Sequence, residues 1–297
     1  MRTLAVLLLL VSLLINACTN TAGGTPAPDS AVDSSGYIQN KGSDTMVNLA
    51  LAWAERYQQE HPEVRISVTG GGSGTGFASL LNNTVDIANA SRQIKDEERQ
   101  KAKDSGLNPQ EFIVARDAIA VIVNPSNPIS QLTLEEISAI FSGQINNWSE
   151  LGGEDRTIVR VSRETNSGTH VYFLERVIRL NSKEDKTIFS ADTLLLPSSE
   201  GIIAEVSDNP NAIGYDGLGY ITPGVKMLAV AETYGSPYFI PSAETTSSGE
   251  YPISRDLYMY TGKEAAGIVK DYLDWIVTPE AQQIVVDLGF VPVAQKP

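Results

Sequence analysis

The chain has 297 residues, and its 36 acidic side chains outnumber 22 Lys and Arg, giving a formal net charge of −14 at pH 7. This balance argues against a nucleic-acid-binding protein, since such binding depends on Lys and Arg neutralising phosphates. One cysteine, Cys18, excludes a disulfide within one chain and a zinc–thiolate cluster. A small anion stays compatible with the charge, because a few local dipoles and one or two cations can hold it.

The first predicted element is an export signal over residues 1–17. Arg2 is the only charge before the apolar run from Leu4 to Ile15, the arrangement of a secretory signal peptide. The run is shorter than the ~20 residues of a membrane-spanning helix. Cys18 follows a small residue, which resembles the lipobox of bacterial lipoproteins and implies a lipid on Cys18. The alternative is a cysteine discarded with the signal, and Asn16 departs from the residue usual in a lipobox.

Residues 18–36 are predicted to form the lipidated N-terminus and a flexible tether. The segment is rich in Thr, Ala, Gly, Pro, Asp and Ser and has no periodic apolar face, so it cannot bury enough surface to offset the cost of ordering. Folded structure is predicted from about Tyr37. The remaining length is too great for one small core and suits two lobes.

Strand-like and helical patterns alternate after Tyr37. Apolar residues at a spacing of two predict strands, and those at helical spacing predict amphipathic helices. The predicted segments are a helix from Met46 to Tyr57, a strand from Val64 to Val68, a buried strand from Ala118 to Val123, a helix capped by Thr133, and helices over Lys263–Val277 and Pro279–Leu288. This alternation predicts an α/β fold with mostly parallel sheets covered by helices.

Four polar loops lie between a strand-like and a helical segment and combine small residues with hydroxyls. A helix N-terminus offers unpaired N–H groups and a partial positive charge, so anions bind there. Glycine lets the backbone approach the anion, and Ser or Thr adds a donor. The alternative for each loop is an ordinary helix cap. The loops are Lys41–Thr45, Gly70–Gly76, Ala90–Arg92 and Arg163–Thr169.

The sequence lacks the motifs of nucleotide binding, of hydrolysis and of metal binding. The glycine run is followed by no Gly-Lys-Ser/Thr and lacks the G-x-G-x-x-G register, so neither ATP nor NAD is indicated, and no cofactor is expected. A hydrolase is disfavoured, because Ser73 lacks the G-x-S-x-G register and neither His61 nor His170 forms a triad pattern. No His/Asp/Glu cluster indicates a metal.

Two arginines accompany these loops. A guanidinium supplies charge and several donors in a flat fork suited to oxyanions. Arg163 precedes the donor cluster of Ser167, Gly168 and Thr169, and Arg92 ends the third loop. The alternative for Arg163 is a surface ion pair with the adjacent Glu164.

The loops and several further motifs together resemble the phosphate-binding lipoproteins of bacterial phosphate ABC transporters. The resemblance covers Tyr37 to Pro292 and keeps the family's motif order. The motifs are Gly42–Met46, the glycine run to Phe77, Val85–Arg92, Asp117–Pro125, Ile140–Trp148, Arg163–Thr169, Ala212–Tyr220, Asp274-Trp275 with Pro279-Glu280, and Gly289–Pro292.

The resemblance implies a two-lobed periplasmic-binding-protein fold of type II, with two crossover segments and the ligand cleft between the lobes. We expect residues 37–118 and 225–297 in lobe I and residues 119–224 in lobe II. It implies that a monomer binds inorganic phosphate and passes it to the permease subunits of an importer, from a lipid anchor facing the periplasm or the cell exterior. The residues that match the family's phosphate donors are Thr45, Ser73, Ser91, Arg163, Ser167, Gly168 and Thr169, with Ser43 a less certain member.

One departure concerns how phosphate is told from sulfate. Many members of the family have Asp where this chain has Arg92, and that Asp accepts the proton of monohydrogen phosphate. A carboxylate facing fully ionised sulfate would be repulsive and unpaired. We hypothesise that Arg92 adds charge to the site and that Asp44 accepts the proton, although Asp44 could equally be a helix cap. A receptor for sulfate, molybdate or a phosphonate, and a sensory or adhesive lipoprotein without an importer, remain alternatives.

Overall fold

The computed structural model describes residues 36–293. The predicted signal peptide, Cys18 and nearly all of the tether lie outside the described residues. Within 36–293, no helix combines the length and the hydrophobicity required to cross a membrane.

Strands and helices alternate through the first half of the described chain. Apolar residues at helical spacing bury one face of the first helix, including Leu49 and Trp53. The elements are β1 (Gly36–Gly42), α1 (Val47–Glu60), β2 (Val64–Thr69), α2 (Ser73–Leu81), β3 (Ile87–Ala90), α3 (Asp96–Asp104) and β4 (Gln110–Val123).

The alternation continues with shorter elements. Thr133 caps α4 as predicted, since its Oγ1 accepts from the Glu136 amide at 3.2 Å. The elements are β5 (Gln131–Thr133), α4 (Leu134–Phe141), β6 (Val159–Arg163), α5 (Gly168–Phe173), β7 (Leu194–Leu196), α6 (Ser199–Asp208), β8 (Ala212–Gly217), β9 (Lys226–Met227), β10 (Ala229–Ala231), α7 (Ala243–Ser247), β11 (Ser254–Thr261), α8 (Gly267–Ile276) and α9 (Pro279–Asp287).

One continuous sheet joins most of these strands in the order β2-β1-β3-β11-β4-β8-β6-β7, with β9 also paired to β4. Pairing is parallel at both ends of this order, in β2-β1-β3 and β8-β6-β7. In the centre, β11 is antiparallel to β3 and β4, and β4 is antiparallel to β8. The predicted mostly parallel sheet is therefore wrong at its centre, because residue alternation along a strand carries no information on direction.

Strands β4 and β11 connect the two lobes, and we call them the crossing strands. The partner of β4 changes from β11 at Ala118 to β8 at Ile119. The second junction is later than the expected one between residues 224 and 225. Strands β9 and β10 pair with β4 and β5, and Tyr251 and Ile253 pack in the same core cluster as Ile119. The chain returns to the first lobe at Ser254.

The C-terminal helices complete the first lobe. Trp53 of α1 donates its indole N–H to the Ala281 carbonyl of α9 at 2.8 Å. Arg56 of α1 is paired with Glu280 at the surface. The predicted helix over Lys263–Val277 is shorter, since α8 begins at Gly267, and α9 begins at Pro279 as predicted.

Candidate anion-binding site

All four polar loops follow the carboxyl end of a strand. Strands β1, β2 and β3 are parallel neighbours, so the loops after them meet at one edge of the sheet, as expected for ligand sites of α/β proteins. The loop after β6 comes from the second lobe and ends at α5. The structure brings these loops together in the cleft between the lobes.

Four buried hydroxyls meet there, and we call Thr45, Ser73, Ser91 and Thr169 the hydroxyl cluster. The Oγ1 atoms of Thr45 and Thr169, from different lobes, are 2.8 Å apart. The Oγ atoms of Ser73 and Ser91 are 3.3 Å apart, and the Ser91 amide donates to Ser73 Oγ at 3.0 Å. Gly168 lies against both serines, and a Cβ at this position would clash with their hydroxyls. The cluster therefore requires glycine at this start of α5.

The glycine run allows the second-lobe loop to approach closely. The Gly74 amide donates to the Asn166 carbonyl at 3.0 Å, and the Asn166 side-chain amide donates to the Gly71 carbonyl at 2.9 Å. Gly72 has a φ of 88°, and a Cβ there would lie 2.8 Å from the Asn166 carbonyl oxygen. Backbone contact between the lobes thus depends on Gly72 having no side chain.

Two further predicted residues have local structural roles. Ser167 caps α5, because its Oγ accepts from the Thr169 amide at 3.2 Å. The Ser43 amide donates to the Asn89 carbonyl at 2.9 Å, which joins the first loop to the end of β3. Both residues are buried, and each precedes a threonine of the hydroxyl cluster by two positions in the sequence.

Arg163 is almost fully buried and lies against two carboxylates. Its Nη2 donates to Asp44 Oδ2 at 2.7 Å, and its Nη1 lies 3.8 Å from Asp216 Oδ2. It also donates to Ser199 Oγ at 3.0 Å and to the Pro197 carbonyl at 2.8 Å. The alternative of a surface ion pair with Glu164 is not observed, since Arg163 is buried and Glu164, which follows the end of β6, is exposed. Burial raises the pKa of Asp216 to about 6, although the Arg163 guanidinium opposes this rise.

Asp44 connects three segments of the cleft. Besides its bond to Arg163, its Oδ1 accepts from the Gly71 amide at 2.8 Å, and its backbone carbonyl accepts from the Tyr220 hydroxyl at 2.7 Å. The helix-cap alternative is not observed, since the Asp44 side chain bonds outside its own turn. Its role as proton acceptor stays a prediction.

Arg92 is not brought to the hydroxyl cluster. Its guanidinium forms a two-point ion pair with Glu98 of α3, at 2.8 and 2.7 Å, and lies 4.9 Å from the Phe77 ring centre. Arg92 also lines a cavity of about 690 Å³ together with Tyr172 and Lys183. The expectation that Arg92 adds charge among the donors does not fit this placement, because Glu98 offsets its charge.

A third arginine, missed by the sequence analysis, does reach the hydroxyl cluster. Arg255 of β11 donates from Nη2 to Thr169 Oγ1 at 2.9 Å, to Thr45 Oγ1 at 3.3 Å and to Asp117 Oδ2 at 2.9 Å. Its Nη1 donates to the Ser91 carbonyl at 3.0 Å. Burial raises the pKa of Asp117, and the Arg255 guanidinium opposes that rise. The pattern of polar loops ahead of helices does not reveal Arg255, because this residue lies inside a strand.

The histidines do not form a catalytic arrangement with these groups. His170 is buried in α5, with Nδ1 2.9 Å from the Arg163 carbonyl oxygen and 3.1 Å from Ser162 Oγ. Burial lowers the pKa of His170, which favours the neutral ring. His61 is partly exposed beside Glu63. Among residues 36–293, no group of three or more His, Cys, Asp or Glu side chains could hold a metal ion.

Two lobes linked by crossing strands, with donors from both lobes meeting in the cleft, define a solute-binding protein. Residues 25–280 match the sequence profile of the PBP superfamily domain. The chain is 33% identical to the phosphate-binding protein PstS of Pseudomonas aeruginosa, over 88% of this chain and 84% of the relative. It is 32% identical to PstS of Bacillus subtilis, over 98% and 94% of the two chains.

A solved structure agrees with this assignment. A Clostridium perfringens protein, described as a phosphate ABC transporter substrate-binding protein and solved with bound phosphate, superposes with a TM-score of 0.77 at 31% identity. The match covers 87% of this chain and 100% of the solved one. The chain belongs to the PBP superfamily, within the family of substrate-binding proteins of phosphate ABC transporters.

Proposed function

We propose that the protein captures inorganic phosphate between its two lobes and delivers it to an ABC importer. The observation that carries the proposal is the hydroxyl cluster, in which donors of both lobes converge beside buried Arg255 and Arg163. The relatives named for phosphate binding, and the related structure with bound phosphate, support the same ligand.

The cluster offers what a tetrahedral oxyanion requires. Its hydroxyls bond to each other across the cleft, so an anion entering between them would replace hydroxyl–hydroxyl bonds by charge-assisted ones. Such bonds are shorter and roughly twice as strong as bonds between neutral groups. Because Thr45 and Thr169 belong to different lobes, the anion would stabilise the closed arrangement by its higher affinity for it. An importer could then distinguish loaded from empty receptors.

Export and anchoring belong to the same proposal. The charge and apolar length of residues 1–17 favour a signal peptide, and the position of Cys18 favours a lipid anchor facing the periplasm or the cell exterior. Permease subunits are the proposed partners of a monomeric receptor. Mass spectrometry of the mature N-terminus would test the anchor, since an unmodified N-terminus beyond Cys18 would contradict it.

The proposal also states that the protein binds its ligand without catalysing a reaction. His170, whose pKa is lowered by burial, lies behind Arg163 and hydrogen-bonds to its backbone carbonyl, which suits bracing the loop rather than activating a nucleophile. Incubation with phosphomonoesters should release no alcohol product above a buffer control, and steady turnover would refute this part.

A thermal-shift series with phosphate, sulfate and molybdate tests the ligand. A ligand that binds the native state raises the melting temperature in proportion to the logarithm of its excess over Kd. We expect phosphate to give the largest rise at equal concentration. A larger rise with sulfate or molybdate would favour a receptor for that oxyanion.

A further inference from the structure

Two ion pairs join the crossing strands β4 and β11 at adjacent positions. In the strand register, Arg255 lies opposite Asp117, and Asp256 lies opposite Arg116. Both pairs have an N···O distance of 2.9 Å. Because successive side chains alternate between the faces of a sheet, the two pairs point to opposite sides.

The two ion pairs differ in how far their side chains are buried. The side chains of Arg255 and Asp117 are 2% and 0% exposed, whereas those of Arg116 and Asp256 are 52% and 28% exposed. A buried pair usually costs more in desolvation than its Coulombic attraction returns, and it is therefore weak as a device for stability alone. The exposed pair on the same strands contributes little in either direction.

The contacts of Arg255 extend beyond its carboxylate. Its Nη2 carries two N–H bonds and has three acceptors in range, Asp117 Oδ2, Thr45 Oγ1 and Thr169 Oγ1. At least one of these N–H bonds is therefore shared between two acceptors, and two of the three acceptors are hydroxyls of different lobes. An anion oxygen held by those hydroxyls would compete for the same N–H, and a charged acceptor would win over a neutral one.

Arg163, the arginine that matches the family pattern, is placed differently. Among the described residues, its guanidinium donates to Asp44, Ser199 and Pro197 and not to the hydroxyl cluster. Arg255 is thus the guanidinium with direct contact to the cluster hydroxyls.

We propose that Arg255 is a direct ligand of the bound anion, contributed by a crossing strand, and that Asp117 holds its guanidinium toward the hydroxyl cluster. This role rests on the proposed function, since it names a further residue of the same phosphate site. Arg255 then contacts the anion at the point where both lobes meet, so its bond forms fully only in the closed arrangement.

The test compares two neutralised pairs in the full mature protein. Arg255→Gln with Asp117→Asn removes the buried pair without leaving one charge unpaired, and Arg116→Gln with Asp256→Asn does the same on the exposed face. Calorimetric titration with inorganic phosphate should show about 10- to 100-fold weaker binding for the buried pair, the range expected for one bond to a charged group. The exposed pair should change the affinity by less than about twofold. Melting without phosphate establishes that both variants are folded.

A second measurement separates direct contact from a structural effect. In protein labelled with 15N-arginine, the side-chain signal that is lost in Arg255→Gln should shift on addition of phosphate, and the Arg116 signal should not. For Asp117, Asp117→Asn should weaken phosphate binding in the wild type and have little further effect when Arg255 is already Gln, as expected for a residue acting through Arg255.

The outcomes are distinguishable. If the wild type binds phosphate and the buried-pair variant binds it with the same affinity, the role of Arg255 is overturned and the proposed function stands. An equal loss of affinity in the exposed-pair variant would have the same meaning. A wild-type protein that gives no heat with phosphate and no shift in melting would overturn the proposed function and this role with it.

Discussion

Arg163 begins one polar loop of the cleft and Arg92 ends another, and the two arginines place their charge differently. Arg163 lies at the junction of the lobes, with Asp44 of the opposite lobe as its closest carboxylate. Arg92 turns to Glu98 of the following helix, within its own lobe. The sequence gives both arginines the same surroundings of small residues and hydroxyls, so the position of the nearest carboxylate decides which of them can act across the cleft.

An arginine in a polar loop therefore does not by itself add charge to a site. Arg92 forms two hydrogen bonds to one carboxylate, a geometry that matches the guanidinium fork. Arg163 has single bonds to several groups, and Asp216 Oδ2 is buried without a hydrogen-bond partner among the described residues. The Arg163 network links the two lobes, whereas the Arg92 pair stays within one lobe.

The largest expected effect is that of Arg163→Ala on phosphate binding. We expect a loss of about 3 kcal/mol or more, because a buried cation is removed and the carboxylates of Asp44 and Asp216 remain unpaired. Calorimetric titration with phosphate measures the loss. Arg92→Gln with Glu98→Gln is the control and should bind within about twofold of the wild type, since this pair lies outside the hydroxyl cluster and is removed without leaving a buried charge unpaired. Equal losses in the two variants would contradict the comparison.

Much of the fold was predictable, because it depends on local patterns. Apolar spacing identified α1 and the buried end of β4, and Thr133 was identified as a cap. The antiparallel centre of the sheet and the return to the first lobe at Ser254 were not predictable in this way. They depend on pairing between β4 and β11, whose residues are far apart in sequence, and no local pattern specifies such a pairing.

The candidate site also has a part that local sequence patterns predict and a part that they do not. The hydroxyl cluster follows from loops ahead of helices, which small and hydroxyl residues reveal. Arg255 was missed because it lies within a strand, where its polar side chain looks like the solvent-facing half of an alternating pattern. The partner of Arg92 could have been found, since Glu98 also accepts from the Lys95 amide at the start of α3, a frequent role for an acidic residue in a first turn.

The next effect concerns the choice between phosphate and sulfate. If Asp44 accepts the proton of monohydrogen phosphate, Asp44→Asn should lower the ratio of phosphate to sulfate affinity by about tenfold, since the amide no longer repels a fully ionised anion. Parallel titrations with the two anions measure the ratio. An unchanged ratio would assign discrimination to another group and leave Asp44 as a partner of Arg163.

The smallest effect is a pH dependence from Asp216. Burial raises its pKa to about 6 in the folded protein, so between about pH 4 and pH 6 the folded state holds a proton that the unfolded state releases. Stability from this group is therefore present at low pH and is lost as pH rises through that window. Urea unfolding without phosphate should show the wild type losing stability relative to Asp216→Asn from pH 4 to 6. A constant difference would contradict the raised pKa.

The central claim is that an anion binds among hydroxyls contributed by both lobes. Arsenate, a tetrahedral analogue of phosphate whose arsenic scatters anomalously, locates the anion directly in a crystal of the protein. The account predicts one strong anomalous peak per chain, with anion oxygens within hydrogen-bond distance of Thr45 and Thr169. A peak at the Arg92–Glu98 pair, or no peak in the cleft at saturating arsenate, would contradict it.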